Sequence, residues 1–326
     1  MEIMTETETL IVGAGPAGAA CAGELKKQKR DFILLDKQSF PRNKVCAGWV
    51  TPAVFKALSL DPKDYPYGLR EFHEFIIHLK KRDYNLKVKQ YAIRRIEFDH
   101  FLLEYAGLEP VLHEVKKIEN NGKSFIVDGT YRARYLVGAG GSYCPVAKYF
   151  FREDPGKDWH RTVVALEDEF SYPVEEDHCH LWFQQEGLPG YAWYVPKTGN
   201  IVNVGIGGYA GTMKKTGENI KDKWKWFTEK LEKRGMVKGH AWHEIGYTYR
   251  VRAKHPVLQK GNVMIIGDAA GLATRDMGEG IGPAIESGIT AAHSVIAGKP
   301  LRPRSIRKNS FSHLKVLQQL LWQRIL

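Results

Sequence analysis

The chain has 326 residues, of which 43% are hydrophobic and 26% charged, so it can build a large globular core. Its net charge of +11 suits an anionic partner such as a phosphate-rich cofactor, a membrane surface or nucleic acid, but the basic residues are scattered. Its four cysteines form no Cys-x-x-Cys pair, so neither a disulfide framework nor a zinc site is predicted. The acidic start is unlike a signal peptide, and no apolar run reaches the ~18 residues that span a bilayer. We therefore expect a reduced, cytoplasmic protein.

The first predicted element is a buried strand over residues 10–12, followed by a glycine-rich turn and an alanine-rich helix. In such a turn Gly13 permits the tight bend, Gly15 lets backbone approach a pyrophosphate, and Gly18 lets helix and strand pack closely. The next buried strand, DFILLD, ends in Asp36, where an acid accepts hydrogen bonds from a ribose. The pattern predicts a dinucleotide site, but it does not separate NAD from FAD.

Short strands are predicted over residues 72–93 and 160–210, and they interrupt the nucleotide-binding segments. We expect one antiparallel sheet that lies over the cofactor. Strand alternation places Tyr191, Trp193 and Val195 on one face of this sheet. Two helices are predicted nearby, each with a core-facing stripe. The stripes consist of Phe98, Phe101, Leu102 and Tyr105, and of Trp224, Phe227 and Leu231.

A second β–α unit follows near the end of the chain. A buried strand over residues 263–266 ends at Gly267 and Asp268 and runs into a small-residue helix start, and the glycines at 278, 280 and 282 precede a further helix. This pairing resembles flavoproteins of the glutathione-reductase type. There the carboxylate binds the ribityl chain, and the helix N-terminus stabilises negative charge on the reduced ring.

Six blocks of sequence carry a more specific resemblance. They read IVGAGPAGAACA, PRNKVCAGWVTP, IRRIEFDHFLLEYAG, YLVGAGGSYCPVAK, PGYAWYVPK and GDAAGLATRDMGEGIGPAIESG. The chain resembles the FAD-dependent family that includes geranylgeranyl reductases and, more distantly, aromatic hydroxylases. The resemblance implies an α/β fold, in which a Rossmann-type FAD-binding domain carries an inserted antiparallel β-sheet substrate domain. The implied division is 1–70, 94–158 and 255–300 for the FAD-binding domain, 71–93 and 159–254 for the substrate domain, and 301–326 for a C-terminal helical segment.

The resemblance also implies roles for single residues. The loop with Cys46 lies against the isoalloxazine in this family, with Ala47 here in place of a glycine, and Arg95 reaches the pyrophosphate or ribityl region. The block around Gly140 departs from the family, which has an aspartate there. The predicted catalytic residues are Cys46, Tyr191 and Trp193. The predicted cofactor-binding residues are Gly13, Gly15, Pro16, Ala17, Gly18, Asp36, Lys37, Arg42, Lys44, Cys46, Ala47, Gly48, Arg95, Val115, Ala139, Gly140, Gly267, Asp268, Gly278, Gly280 and Ile281.

The activity implied is reduction of a carbon–carbon double bond in a prenyl or other apolar substrate, by hydride from reduced FAD and a proton from Tyr191, Cys46 or water. The electron donor is NAD(P)H or a reduced protein. Membrane-surface contact is expected if Leu314, Leu317, Leu321 and Ile325 form an amphipathic helix, whereas the alternative is a helix docked on the core.

Two other functions stay open. One is an FAD-dependent monooxygenase or halogenase, since YAWYVP is loosely similar to a halogenase signature. The other is a flavin-binding redox partner without small-molecule catalysis. No nucleic-acid partner is expected, because no known binding module occurs in the sequence.

Overall fold

The computed structural model describes residues 4–80, 82–151 and 158–312. The predicted C-terminal leucine face, residues 314–325, lies outside this part of the chain. The helices are α1 (Pro16–Lys27), α2 (Pro52–Leu58), α3 (Arg95–Ala106), α4 (Pro145–Phe150), α5 (Ala210–Thr216), α6 (Ile220–Lys233) and α7 (Ile281–Ala297). The strands are β1 (Thr5–Val12), β2 (Phe32–Asp36), β3 (Trp49–Val50), β4 (Arg70–Leu79), β5 (Arg82–Ala92), β6 (Val111–Leu112), β7 (Ile118–Asn120), β8 (Phe125–Val127), β9 (Tyr131–Gly138), β10 (Thr162–Ser171), β11 (Cys179–Phe183), β12 (Gly190–Lys197), β13 (Ile201–Tyr209), β14 (Ile245–Arg250), β15 (Gln259–Lys260) and β16 (Val263–Ile265).

The first sheet is the Rossmann-type sheet that the sequence predicts. Strands β16, β9, β1, β2 and β6 run parallel in that spatial order, with β15 at one edge and β7 and β8 joined beside β9. The side chains of β1 alternate between the two faces of the sheet. Ile11 packs under α1, α3 and α7, whereas Leu10 and Val12 pack on the opposite face. The carboxyl ends of the parallel strands therefore open towards one edge, where ligands bind in open α/β sheets.

Helices α1 and α7 cross in close backbone contact on this sheet. A Cβ atom at Gly288 of α7 would lie 2.2 Å from the Ala17 carbonyl oxygen of α1 and 3.0 Å from the Cys21 amide nitrogen. Only small residues permit this approach. Because both helices begin at the same edge of the sheet, the contact brings their N-termini together although they are far apart in sequence.

The second sheet has the order β14, β10, β13, β12, β11, β4, β5 and β3. The predicted alternation along β12 is confirmed. Tyr191, Trp193 and Val195 belong to one buried cluster, whereas Ala192 and Tyr194 belong to another that packs under α6. The prediction of a fully antiparallel sheet is wrong for one pair, because β4 and β11 run parallel. The chain between these two strands passes through the first sheet, so they are not joined by a hairpin.

Two details of the helix prediction need correction. In α3, Phe98, Phe101 and Leu102 are buried as predicted, but Tyr105 is 46% exposed. Tyr105 lies in the last turn of the helix, where its hydroxyl donates to the Ser59 carbonyl oxygen at 3.4 Å. The predicted helix start after β16 is a short 3-10 turn, Gly267–Ala270, and the helix itself begins at Ile281. The predicted Trp224, Phe227 and Leu231 stripe of α6 is buried.

The strands in the predicted substrate-domain segments all lie in the second sheet, joined there by β3 from the first segment. The domain boundaries themselves stay a prediction. None of the helices in the described part of the chain is both long and apolar enough to cross a membrane.

The packing of α6 against the second sheet can be tested by mutation. Phe227 is fully buried, and its ring lies 5.0 Å from that of Trp182. We expect Phe227→Ala to lower the free energy of unfolding by about 3–5 kcal/mol, because a large cavity replaces the ring. The exposed Lys225 of the same helix supplies the control, since Lys225→Ala is expected to change the free energy of unfolding by less than about 0.5 kcal/mol. Denaturant titration measures both, and equal effects of the two variants would contradict the assigned face of α6.

Candidate active site

A cavity of about 890 Å³ lies between the two sheets. One wall is built from the β1–α1 turn, the end of β2, the loop that contains Cys46, the end of β9 and the residues that precede α7. The other wall comes from strands β10, β12 and β14 of the second sheet. This size and position are those of a site for a large organic ligand. No cluster of His, Cys, Asp or Glu within the described ranges is arranged to hold a metal ion.

The glycine turn before α1 forms the floor of the cavity. Gly13 has φ +110°, and a Cβ there would lie 2.5 Å from the Ala139 carbonyl carbon, so only glycine fits. A Cβ at Gly18 would lie 1.8 Å from the Gly13 carbonyl oxygen, so Gly18 serves the packing of α1 rather than the cavity wall. Gly15 is the N-cap of α1 and has no side chain to cover the first-turn amides. These amides and the helix dipole suit a phosphate.

Asp36 organises this turn from the end of β2. Its Oδ2 accepts the Ala14 amide at 2.7 Å and its Oδ1 accepts the Gln38 amide at 2.9 Å. The carboxylate therefore supports the loop and also lines the cavity. The residues around it are mostly polar, and several of them were missed in the sequence analysis. The residues at this end of the cavity are Lys37, Gln38, His113, Glu114, Val115 and Lys116.

Positive charge collects next to the turn. Arg95 makes a two-pronged contact with Asp99, with both nitrogen–oxygen distances at 2.7 Å, and Arg42 Nη2 lies 3.6 Å from the same carboxylate. Two guanidinium groups thus share one carboxylate, which leaves net positive charge. The Nε of Arg42 is buried without a hydrogen-bond partner among the described residues, and a Cβ at Gly15 would lie 3.3 Å from Arg42 Nη2. An unsatisfied buried donor beside an open glycine turn fits a bound phosphate group.

A second charged group lies further along the cavity. The Lys44 ammonium stands 3.0 Å above the centre of the Tyr247 ring, and the Tyr247 hydroxyl donates to Asp268 Oδ2 at 3.4 Å. Burial lowers the pKa of Lys44 to about 8, although Asp268 opposes the shift. Asp268 lines the cavity beside this pair, where its carboxyl group can accept hydrogen bonds from hydroxyl groups of a ligand. The neighbouring Gly267, with φ +58°, makes the turn and lies off the cavity against Ala17.

The residues before α7 close the cavity on the same side. Gly278 has φ +64°, and a Cβ there would lie 2.4 Å from the Tyr249 hydroxyl. Glu279 accepts the Gly282 amide at the start of α7, and burial raises its pKa to about 7. Gly280 and Ile281 line the cavity at the first turn of the helix. The first turn of α7, where the helix dipole favours negative charge, thus lies at the cavity wall.

Tyr191 and Trp193 lie side by side on the opposite wall, with ring centres 5.8 Å apart. The Tyr191 hydroxyl donates to the Met277 carbonyl at 2.5 Å, and Trp193 Nε1 donates to Asn203 Oδ1 at 2.7 Å. Both polar groups are thus satisfied inside the protein, and burial raises the pKa of the Tyr191 phenol well above its usual value. The wall offers carbon surface, which suits an apolar ligand.

The Cys46 loop meets this wall through Glu167, a residue that the sequence analysis missed. Glu167 is 6% exposed and lines the cavity, and its Oε1 accepts the Cys46 amide at 2.6 Å. The predicted Cys46 and Ala47 also line the cavity. Ala47 does not have a positive φ, so the alanine fits without strain, and Gly48 takes the left-handed conformation with φ +72°. Gly48 lies off the cavity, against the Ile93 carbonyl and the Lys197 ammonium.

The predicted site residues thus come together with three exceptions. Gly18, Gly48 and Gly267 lie behind the wall, where they allow close backbone packing. A charged residue at an inward-facing position of a predicted strand was the available signal for Glu167. The predicted residues that line the cavity are Gly13, Gly15, Pro16, Ala17, Asp36, Lys37, Arg42, Lys44, Cys46, Ala47, Arg95, Val115, Ala139, Gly140, Tyr191, Trp193, Asp268, Gly278, Gly280 and Ile281.

Comparison with known proteins agrees with this geometry. A family model described as the geranylgeranyl reductase catalytic domain matches residues 162–241, and one described as an NAD(P)-binding Rossmann-like domain matches residues 11–75. The first match covers the strands that carry Glu167, Tyr191 and Trp193.

Individual relatives align along most of the chain. An uncharacterized protein of Methanosarcina barkeri is 31% identical over 314 residues, which cover 90% of this chain and 75% of that protein. A menaquinone reductase of Mycolicibacterium smegmatis is 26% identical over 322 residues, which cover 90% of this chain and 77% of the enzyme. The solved structure of a geranylgeranyl bacteriochlorophyll reductase-like protein of Thermoplasma acidophilum has the same fold, with a TM-score of 0.77 at 20% identity over 99% of this chain and 84% of that one.

The glycine turn gives a direct test of the phosphate site. We expect Gly15→Val to weaken flavin binding by at least about tenfold, because its side chain fills the space between the first-turn amides and Arg42. Titration of apoprotein with flavin measures the affinity. Lys27→Val, at the exposed far end of the same helix, is the control and should bind flavin as the parent does. Unchanged affinity in Gly15→Val, with an unchanged melting temperature, would contradict the phosphate assignment.

Proposed function

This chain belongs to the geranylgeranyl reductase-like family of flavin-dependent oxidoreductases, and from that premise we propose that it hydrogenates a carbon–carbon double bond of a prenyl chain. The single observation that carries the proposal is the paired aromatic wall of Tyr191 and Trp193. Its polar atoms are bound within the protein, and it faces the cavity opposite the start of α7.

FAD is the flavin that the cavity supports best. The cavity extends from Asp36 and His113 at the end of β2 to Trp49 and Trp193 at the second sheet, a reach that suits a dinucleotide better than a mononucleotide. In this proposal Asp36 holds the adenosine ribose, and Arg42 with the first-turn amides of α1 holds the pyrophosphate. Asp268 holds the ribityl chain. The N-terminus of α7 would lie beside the ring.

The chemistry divides between cofactor and protein. A bound, reduced flavin supplies a hydride to one carbon of the alkene. The protein binds the substrate, orients it and excludes water. Trp49, Tyr191, Trp193 and Met277 provide a largely apolar surface at this end of the cavity, which matches an isoprenoid rather than a charged metabolite. The proposed electron donor is NAD(P)H or a reduced protein.

The matching family model and one relative suggest two sources of the prenyl chain. The matching family model is named for geranylgeranyl reductases, and one relative is named a menaquinone reductase. A prenyl lipid is the favoured substrate. A prenylated quinone shares the same chain chemistry and forms the second arm of the test.

Anaerobic single turnover tests the proposal. The FAD-loaded protein is reduced without oxygen and mixed with a geranylgeranylated glycerophospholipid in micelles, or in parallel with menaquinone. We expect reoxidation of the flavin together with one added hydrogen pair per turnover on the prenyl chain, measured by absorbance and by product mass. The saturated phytanyl lipid is the matched control and should leave the flavin reduced.

Other outcomes separate the alternatives. Flavin reoxidation by menaquinone with an intact chain would identify a quinone-ring reductase and overturn the proposal. Reoxidation only by dioxygen, with a hydroxylated product, would identify a monooxygenase. Exchange of electrons with a partner protein, and with none of these small molecules, would identify a redox partner.

A further inference from the structure

We propose that Glu167 is the acid that delivers the proton to the second carbon of the double bond. This inference rests on the proposed function, which requires a hydride and a proton at adjacent carbons. The hydride comes from the flavin, whereas the proton needs a donor group that lines the cavity. Five features support the assignment, four from the surroundings of Glu167 and one from the balance of the reaction.

The first feature is its position. Glu167 lies on β10 two residues after Ala165, and both side chains line the cavity. Its carboxyl group accepts the Cys46 amide at 2.6 Å, which holds it at the junction between the Cys46 loop and the second sheet. One carboxyl oxygen is fixed by this bond. A fixed acid is what a stereospecific proton transfer requires.

The second feature is a buried link to the aromatic wall. Asn203 is fully buried on β13 and accepts the indole hydrogen of Trp193 through Oδ1. Its amide group also hydrogen-bonds the Glu167 carboxyl group and donates weakly to the Cys46 carbonyl at 3.5 Å. Asn203 therefore ties Trp193, Glu167 and the Cys46 loop into one unit. A substrate against Trp193 lies beside this unit.

The third feature is a division of charge between two acids on one face of β10. Glu169 forms an ion pair with the buried Lys197 and accepts Arg94 Nε at 2.9 Å. Burial alone would raise the pKa of Glu169, but Lys197 and Arg94 hold it below its usual value. Burial raises the pKa of Glu167 to about 7, although Lys197 and the Cys46 amide oppose that shift. Glu169 thus neutralises Lys197 and leaves Glu167 able to keep a proton.

The fourth feature is that the nearby alternatives are engaged elsewhere. The Tyr191 hydroxyl hydrogen is already donated to the Met277 carbonyl. Cys46 Sγ accepts the Gly48 amide at 3.4 Å, and the Cys46 side chain also interacts with the Arg95 guanidinium. Glu279 has a pKa of about 7 as well, but it lies just before α7, where it accepts the Gly282 amide, whereas Glu167 shares Asn203 with Trp193.

The fifth feature is chemical balance. The π bond of the alkene breaks, and its two carbons gain a hydride from the flavin and a proton from Glu167. The O–H bond of Glu167 breaks as the new C–H bond forms, and a carboxylate remains, which regains its proton from solvent. The alkene is reduced by two electrons and the flavin is oxidised by two, to be reduced again by reduced nicotinamide or a reduced protein.

The first experiment needs neither flavin nor substrate. Infrared spectra of the apoprotein between pH 5 and pH 9 report protonated carboxyl groups. We expect Glu167→Gln to remove one carboxyl signal that titrates near pH 7, and we expect the matched variant Glu279→Gln to keep it. The groups that face Glu167 are Lys197, Glu169, Tyr249, the Asn203 amide and the Cys46 amide, so these set the titration. An unchanged titration in Glu167→Gln would overturn the inference.

Stability against pH gives an independent check on the same group. The pKa of Glu167 is about 7 when folded against 4.5 ordinarily, so between these values the folded chain holds a proton that the unfolded chain has lost. Stability from this group is therefore present at low pH and is lost as pH rises from about 4.5 to about 7. We expect the melting temperature of Glu167→Gln to change less with pH between about 4.5 and about 7 than that of the parent protein. A fall as steep as that of the parent would count against the raised pKa.

The second experiment follows single turnover of the reduced, FAD-loaded protein with the prenyl lipid. We expect Glu167→Gln to slow reoxidation at least about 100-fold with unchanged flavin affinity. The parent rate should fall above about pH 7, the variant should lose this dependence, and Glu167→Asp should restore part of the rate. Glu232→Gln, an exposed acid on α6, is the control and should react as the parent does.

The outcomes separate the two proposals. If the parent protein adds no hydrogen to any prenyl chain, the proposed function fails. If the parent does so and Glu167→Gln reacts at the same rate with the same pH profile, the proposed function stands and Glu167 is not the proton donor.

Discussion

The close backbone contact between α1 and α7 is the constraint on which the site depends. The Gly288 Cα faces the Ala17 carbonyl, and any side chain at Gly288 would separate the helices. The contact sets both helix N-termini at the same edge of the first sheet, so that the amides of two turns, one near each end of the chain, face one cavity. The two helix dipoles together favour an anionic ligand there. Without this contact each turn would be an ordinary β–α connection.

The second sheet completes the site by covering this edge with a surface of different chemistry. At the first sheet the ligand meets guanidinium groups, an ammonium group and free amides. At the second sheet it meets Tyr191 and Trp193, whose hydrogen-bonding atoms are bound to Met277 and Asn203. An unpaired donor on that wall would hold water or a polar ligand, whereas satisfied donors leave it apolar. One cavity therefore has a charged side that suits a phosphate-bearing cofactor and an apolar wall that suits an apolar chain, as the proposed function requires.

The acidic side chains near the cavity also differ in the partners that surround them. Asp99 is shared by two guanidinium groups, and Glu169 is paired with Lys197 and Arg94, which hold its pKa below the usual value. Glu167 has weaker compensation and is buried, which favours its neutral form. Two acids two residues apart on one strand thus have pKa values shifted in opposite directions. The difference arises from the side chains that other strands bring to them, not from the strand itself.

The sequence by itself determined the elements whose chemistry is local. The glycine turn, the acid at the end of β2 and the alternation of Tyr191 and Trp193 follow from spacing, because strand–turn–helix geometry and the two-residue period of a strand fix where each side chain points. Most of the predicted cofactor-binding residues line the cavity for this reason. The tertiary structure alone decided the exposure of Tyr105, the parallel pairing of β4 with β11 and the joining of Glu167 to Cys46 through a hydrogen bond. Each depends on contacts between segments far apart in the chain, and so does the raised pKa of Glu167, which comes from burial that no local pattern records.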